Sequence, residues 1–176
     1  MLEKIVDWIK DYALLHKKDA LVVGISGGID SSLVSTLCAE TGINTIVVRM
    51  PIHQIAEQDD LSRQHGEWLL ENYSNVSFKS KDLTKVFDNF RECLEASECS
   101  NLSLANSRSR LRMMMLYQIS STYNGLVVGT GNKVEDFGVG FFTKYGDGGV
   151  DISPIADLYK SEVRSAARTL GILEDI

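Results

Sequence analysis

Nine consecutive residues, Gly24-Ile25-Ser26-Gly27-Gly28-Ile29-Asp30-Ser31-Ser32, combine paired glycines, three hydroxyls and one carboxylate. Adjacent glycines let backbone approach a ligand that a Cβ would hold off, and serines add donors where a helix begins. The combination suits an anion, most simply a phosphate. The spacing is neither Gly-x-x-x-x-Gly-Lys-Ser/Thr nor Gly-x-Gly-x-x-Gly, and Asp30 stands where the first of those loops has its lysine. A carboxylate repels phosphates unless a cation lies between them, so the loop predicts a phosphate site with Mg²⁺. A plain strand-to-helix turn capped by Asp30-Ser31 accounts for a lone Gly-Gly-x-Asp, but the whole string is much less expected by chance.

Three other stretches are chemically loaded. Arg108, Arg110 and Arg112 are spaced two apart and splay over about 200° of a helix, so they share no single basic face. From Thr130 to Asp151 periodicity is lost and glycine is dense, while Glu135, Lys144, Asp147 and Asp151 alternate with Phe141, Phe142 and Tyr145. A long irregular segment in a compact domain has a function or is disordered, and its aromatics favour a loop folding over a polar ligand. Lys160 falls in the first turn of a last helix, where the dipole disfavours a cation, so an anion is expected beside it.

The elements that position these residues read in order. Leu2, Ile5, Val6, Ile9 and Ala13 predict a helix over 2–17. Ala20–Val23 is a short buried strand, and Leu33, Val34, Leu37 and Cys38 mark a helix from the glycine loop to about Thr41, closed by Gly42. Asn44–Met50 is a second strand, ended by Pro51. Arg49 near its end and Gln54 just after it lie at the sheet's carboxyl edge, as base or ribose contacts or, for Arg49, an ion pair. Helices are predicted over 57–72, 82–95 and 104–122, and strands over 76–79 and 125–129, the last delivering Thr130 to the edge that carries the glycine loop. Alternating strands and helices require right-handed crossovers, giving an α/β fold: a parallel sheet of about five strands with helices on both faces.

The chain of 176 residues is 44% hydrophobic and 24% charged, which predicts one soluble globular domain over 1–176. A net charge of −6 disfavours a nucleic-acid surface. No apolar run approaches the roughly 20 residues of a membrane span and no secretory leader is evident, so a cytoplasmic protein is expected. Three cysteines, Cys38, Cys93 and Cys99, lack the spacing of a zinc site or disulfide framework.

The Ser26-Gly-Gly-Ile-Asp-Ser31 string resembles the PP-loop of the ATP pyrophosphatase superfamily, which cleaves ATP between its α and β phosphates to adenylate a substrate. With Arg110-Leu-Arg-Met113, Gly129-Thr-Gly-Asn-Lys-Val-Glu135, Phe142-Thr-Lys-Tyr-Gly-Asp-Gly-Gly149 and Asp151-Ile-Ser-Pro-Ile-Ala-Asp-Leu-Tyr-Lys160, the chain resembles the ammonia-using NAD synthetases. The resemblance implies an adenine nucleotide alpha hydrolase-like sandwich and a homodimer. It implies amidation of deamido-NAD by ammonia, with ATP as co-substrate and Mg²⁺. ATP would be held by Gly24, Ile25, Ser26, Gly27, Gly28, Ile29, Asp30, Ser31, Thr130 and Lys160. Asp30 and Glu135 would bind the metal, Arg110, Lys144 and Asp151 would contact deamido-NAD, and Asp30 and Lys160 would be the catalytic pair. The family continues past the point matching Ile176, into a loop with an ATP-contacting threonine and a C-terminal segment, both expected to be missing here. A glutaminase domain is not expected, so ammonia is expected from solution or a partner. The alternatives are another PP-loop adenylating enzyme, of the GMP synthetase or tRNA-modifying kind, and a nucleotide-binding module without turnover.

Overall fold

The computed structural model describes residues 1–172 and 176. Its elements, in chain order, are α1 (Leu2–Leu15), β1 (Ala20–Ile25), α2 (Ile29–Glu40), β2 (Asn44–Arg49), α3 (Ala56–Asn72), β3 (Val76–Ser80), α4 (Thr84–Glu92), α5 (Asn101–Thr122), β4 (Gly125–Val127) and α6 (Lys160–Thr169). The four strands form one parallel sheet in the order β3-β2-β1-β4. Beyond β4, Val128 bridges to Ile152 in parallel, so a single residue of the returning chain occupies the fifth strand position.

Both faces of β1 are buried, which is why its sequence is apolar without alternation. Leu21 and Val23 meet α1, α2 and α6 through Ile9, Leu33, Leu37, Val163 and Ala166. Ala20 and Val22 point the other way, onto Phe87 of α4 and Met113, Leu116 and Ile119 of α5. Val47 of β2 packs with Leu69 of α3. Side chains thus alternate by two along each strand, and the central strand is sealed between helix layers.

Several boundaries move from the sequence expectation for local reasons. The helix expected over 82–95 with Asp82 as its cap spans Thr84–Glu92; the Asp82 carboxylate accepts the Thr84 N–H (2.8 Å) from two residues before its start. The polar break before α5 contains a short 3₁₀ turn, Ala96–Glu98, and α5 starts early at Asn101, where Ser100 caps it by accepting the Ser103 N–H (3.1 Å). The glycine-dense segment is not wholly irregular: Val134–Val139 forms a π-helical turn closed by Gly140 at φ +70°. At Gly42 the expected helix stop holds, with φ +75°.

Between α2 and α3 lies His65, fully buried and stacked on Trp68 with ring centroids 5.7 Å apart. Burial pulls its pKa down from 6.5 to about 4. Between those values the unfolded chain binds a proton that the folded chain refuses, so stability falls as pH falls through the window, by at most about 3 kcal/mol. A series of urea midpoints from about pH 7 to about pH 4.5 should decline in the wild type and decline less in His65→Gln.

Candidate active site

The strand order reverses between β1 and β4, which creates a switch point where both strands end at the same sheet edge. A cleft of about 250 Å³ opens there. One wall is the end of β1 and the start of α2, through Gly24, Ile25, Ser26 and Ser31, and the other is Val128, Gly129 and Thr130 after β4. Gly27 and Gly28 make the turn between them, while Ile29 packs with the core under α2 and α6. Gly27 is required twice over: its φ is +84°, and a Cβ there would collide with the carbonyl of Gln58 on α3.

The Ser31 hydroxyl holds this turn. It accepts the Ser26 N–H (3.2 Å), lies 3.2 Å from Ser26 Oγ and donates to the Gly28 carbonyl (2.9 Å). Gly28 offers α2 no side-chain cap, so first-turn N–H groups remain for an anion.

Asp30, Glu135 and Lys160 meet although they come from α2, the π-helical turn and α6. The Lys160 ammonium pairs with Asp30 Oδ2 and lies 3.3 Å from Glu135 Oε1. Burial draws the Lys160 pKa down, but the hydrogen bond and charge of Asp30, then Glu135, more than offset this and hold it above the ordinary lysine value. The anion expected beside Lys160 is therefore present as the chain's own carboxylates. Asn132, fully buried, anchors the group: its Nδ2 donates to Asp30 Oδ1 (3.0 Å) and its Oδ1 accepts the N–H of Val134 (3.0 Å) and Glu135 (3.2 Å). Nearby, Asp136 is raised by burial and by the charges of Asp147, Glu135 and Asp30, which registers a negative local field. Among the described residues no three His, Cys, Asp or Glu side chains form a metal cage. Neither Asp30 nor Glu135 lines the cleft itself, but Asp30 adjoins the cleft-lining Ser31, and two carboxylates there suit a hard cation that takes its remaining oxygens from phosphates and water, as Mg²⁺ does.

The three arginines of α5 go to three places. Arg108 stacks 5.4 Å from the Phe87 ring, Arg110 Nε donates to the Lys144 carbonyl (3.0 Å), and Arg112 lines the cleft. Arg112 Nε bonds the Met50 carbonyl (2.9 Å) and its Nη2 bonds Gln54 Oε1 (3.2 Å). Its position, four before Leu116 and seven before Ile119, marked the buried face of α5 in the sequence. Arg49 and Gln54 both line the cleft, and Arg49 is ion-paired with Asp59 (Nε to Oδ1, 2.8 Å). Arg110 and Lys144 adjoin outside that lining, the Lys144 ammonium lying 5.2 Å from the Tyr145 ring centroid. Asp151 is separate from them: it accepts the Val127 N–H (2.7 Å) and the Tyr117 hydroxyl (2.9 Å). Burial, then that bond and charge, push the Tyr117 phenol up to about 12. Ser109 and Asn132 escaped the sequence reading. Ser109 donates to Asp147 (2.6 Å) across the cleft, and no periodicity surrounds either partner to signal it.

The model of the NAD synthase family matches residues 1–176. The chain belongs to the NAD synthase family. It is 39% identical over 174 residues to the NH3-dependent NAD⁺ synthetase of Sulfolobus acidocaldarius, a match covering 99% of this chain and 61% of that protein. Similar solved structures are the NMN synthetase of Francisella tularensis (TM-score 0.91, 31% identity, 99% and 71% covered) and the NH3-dependent NAD synthetase of Campylobacter jejuni (TM-score 0.88, 34% identity, 99% and 73% covered). The chain spans about 60% of the length of the first curated relatives it matches. Within this NAD synthase fold, Asn132→Ala would leave Asp30 Oδ1 and two backbone N–H groups without their buried partner. Urea denaturation should show a loss of about 1–3 kcal/mol.

Proposed function

We propose that the chain carries the ATP- and Mg²⁺-dependent amidation of deamido-NAD by ammonia, yielding NAD, AMP and pyrophosphate. The observation that carries this reading is the Asp30–Lys160–Glu135 group beside the uncapped start of α2. Gly24 to Ser31 and Thr130 receive the ATP phosphates through loop N–H groups and hydroxyls. Asp30 and Glu135 hold Mg²⁺, which when bound screens the phosphates and stabilises charge on the leaving pyrophosphate. Lys160 adds positive charge on the same side. The nicotinate carboxylate attacks the α-phosphorus, the bond to the β-phosphate bridging oxygen breaks, and pyrophosphate leaves. Ammonia then attacks the acyl carbon, AMP departs with the C–O bond pair, and the surplus proton passes to water. No side-chain nucleophile is required, so catalysis is positioning and electrostatics.

Arg110 and Lys144, at the rim, present cations to the second polyanion, and Asp151 holds the base of the same loop to β4. The family resemblance adds a homodimer and a cytoplasmic setting. Among the described residues no helix is long and apolar enough to cross a membrane. The likeness to an NMN synthetase favours a second reading, the same chemistry on the nicotinate mononucleotide.

Sustained, multiple-turnover pyrophosphate release should require Mg-ATP, ammonium and one acyl acceptor, with deamido-NAD preferred over the mononucleotide; without ammonium, release should stop at about one equivalent per site. Preference for the mononucleotide establishes the second reading, and release that ignores both acceptors contradicts the proposal. Asp30→Ala and Glu135→Ala should each reduce release by about a hundredfold or more while far-UV circular dichroism is unchanged. Full activity in either would reject the metal assignment.

A further inference from the structure

A histidine that the proposed reaction does not use lies beneath the phosphate loop. His65 Nε2 is 2.9 Å from Ser35 Oγ on α2. The Ser35 hydroxyl has one proton and sits 2.8 Å from the Ser31 carbonyl and 3.1 Å from the Ser32 carbonyl. It therefore donates to the first turn of α2 and accepts from His65, which fixes the ring as the neutral Nε2–H tautomer. Nδ1 is then a buried acceptor with no partner, among the described residues the one such side-chain atom. An apolar side chain could fill this space without leaving an acceptor unmet, so packing alone does not call for a histidine.

Ser32 and Thr36 also return their hydroxyls to α2 carbonyls, at 3.1 Å and 2.8 Å, without help from a neighbouring helix. Among the described residues of α2, Ser35 alone combines that back-bond with a side-chain donor from α3. The carbonyl it takes belongs to Ser31, whose own hydroxyl joins Ser26 to Gly28. A continuous path thus runs from the core to the loop.

We propose that His65 is a positioning residue of the nucleotide site: acting through Ser35, it sets the first turn of α2 and with it the phosphate-binding geometry of Ser26 to Ser31. The inference rests on the loop being a Mg-ATP site, as proposed above. Binding of Mg-ATP measured by titration calorimetry tests it without depending on turnover. His65→Leu and Ser35→Ala should each weaken the Kd about tenfold, the scale on which outer partners tune a site. His65→Gln, whose amide N–H can reach Ser35, should stay within about threefold of wild type. Combining His65→Leu with Ser35→Ala should cost little more than either alone, since both break one path. A partly unfolded preparation lowers the stoichiometry but not the Kd, so a merely structural role leaves the Kd in place. If His65→Leu does not fold, Ser35→Ala carries the comparison. Unchanged affinity in Ser35→Ala, or equal weakening in His65→Gln and His65→Leu, overturns the inference while the ATP site stands. Failure of the wild type to bind Mg-ATP overturns both.

Discussion

One ammonium shared by two carboxylates ties the molecule's chemistry together. Asp30 and Lys160 are 130 residues apart, and Glu135 comes from a third segment. As a stabilising contact the group is modest, because the cost of desolvating partly buried charges offsets much of their attraction. Two negative charges facing one positive charge leave an excess that favours a further cation. Asn132, fully buried, makes the arrangement rigid by fixing Asp30 and the start of the Glu135 turn at once. The group is thus better suited to receiving metal and phosphate than to holding the fold.

The parallel sheet makes that convergence possible. A central β1, buried on both faces, ends beside β4 where the strand order reverses, so their loops open on one cleft without a special device. The helices then act from opposite layers. From one layer α2, α3 and α6 supply the loop's anchor, its close-packed Gly27 contact and Lys160. From the other, α5 delivers Arg112 and latches the 143–149 turn through Ser109.

The parts legible in the sequence are those with a local physical signature. The strands announced themselves as short apolar runs, α2 as a glycine loop followed by a helical apolar face, and Lys160 as a cation in an unfavourable helix turn. Their meeting was not legible from spacing alone, since nothing local in Glu135 or Asp30 specifies a partner more than 100 residues away; the family resemblance supplied that. Asn132 and His65 were missed because burial of a polar side chain depends on packing between segments and leaves no period. The π-helical turn at Val134–Val139 was missed for a related reason: glycine at its end reads as loop, and the Asn132 side chain that holds the first N–H groups of the turn carries no periodic signal. The start of α5 shifted because Ser100 caps it ahead of the point where composition changes.

In the proposed site Asp30 and Glu135 coordinate the metal incompletely and phosphates complete the coordination. Water-proton relaxation with Mn²⁺ in place of Mg²⁺ reads this directly, as the affinity of the protein for the ion with and without ATP. Mn²⁺ binding should be weak alone and much tighter with ATP, and the Asp30→Ala protein should lose that gain. Mn²⁺ binding that is equal with and without ATP, or a gain that survives Asp30→Ala, would contradict that coordination.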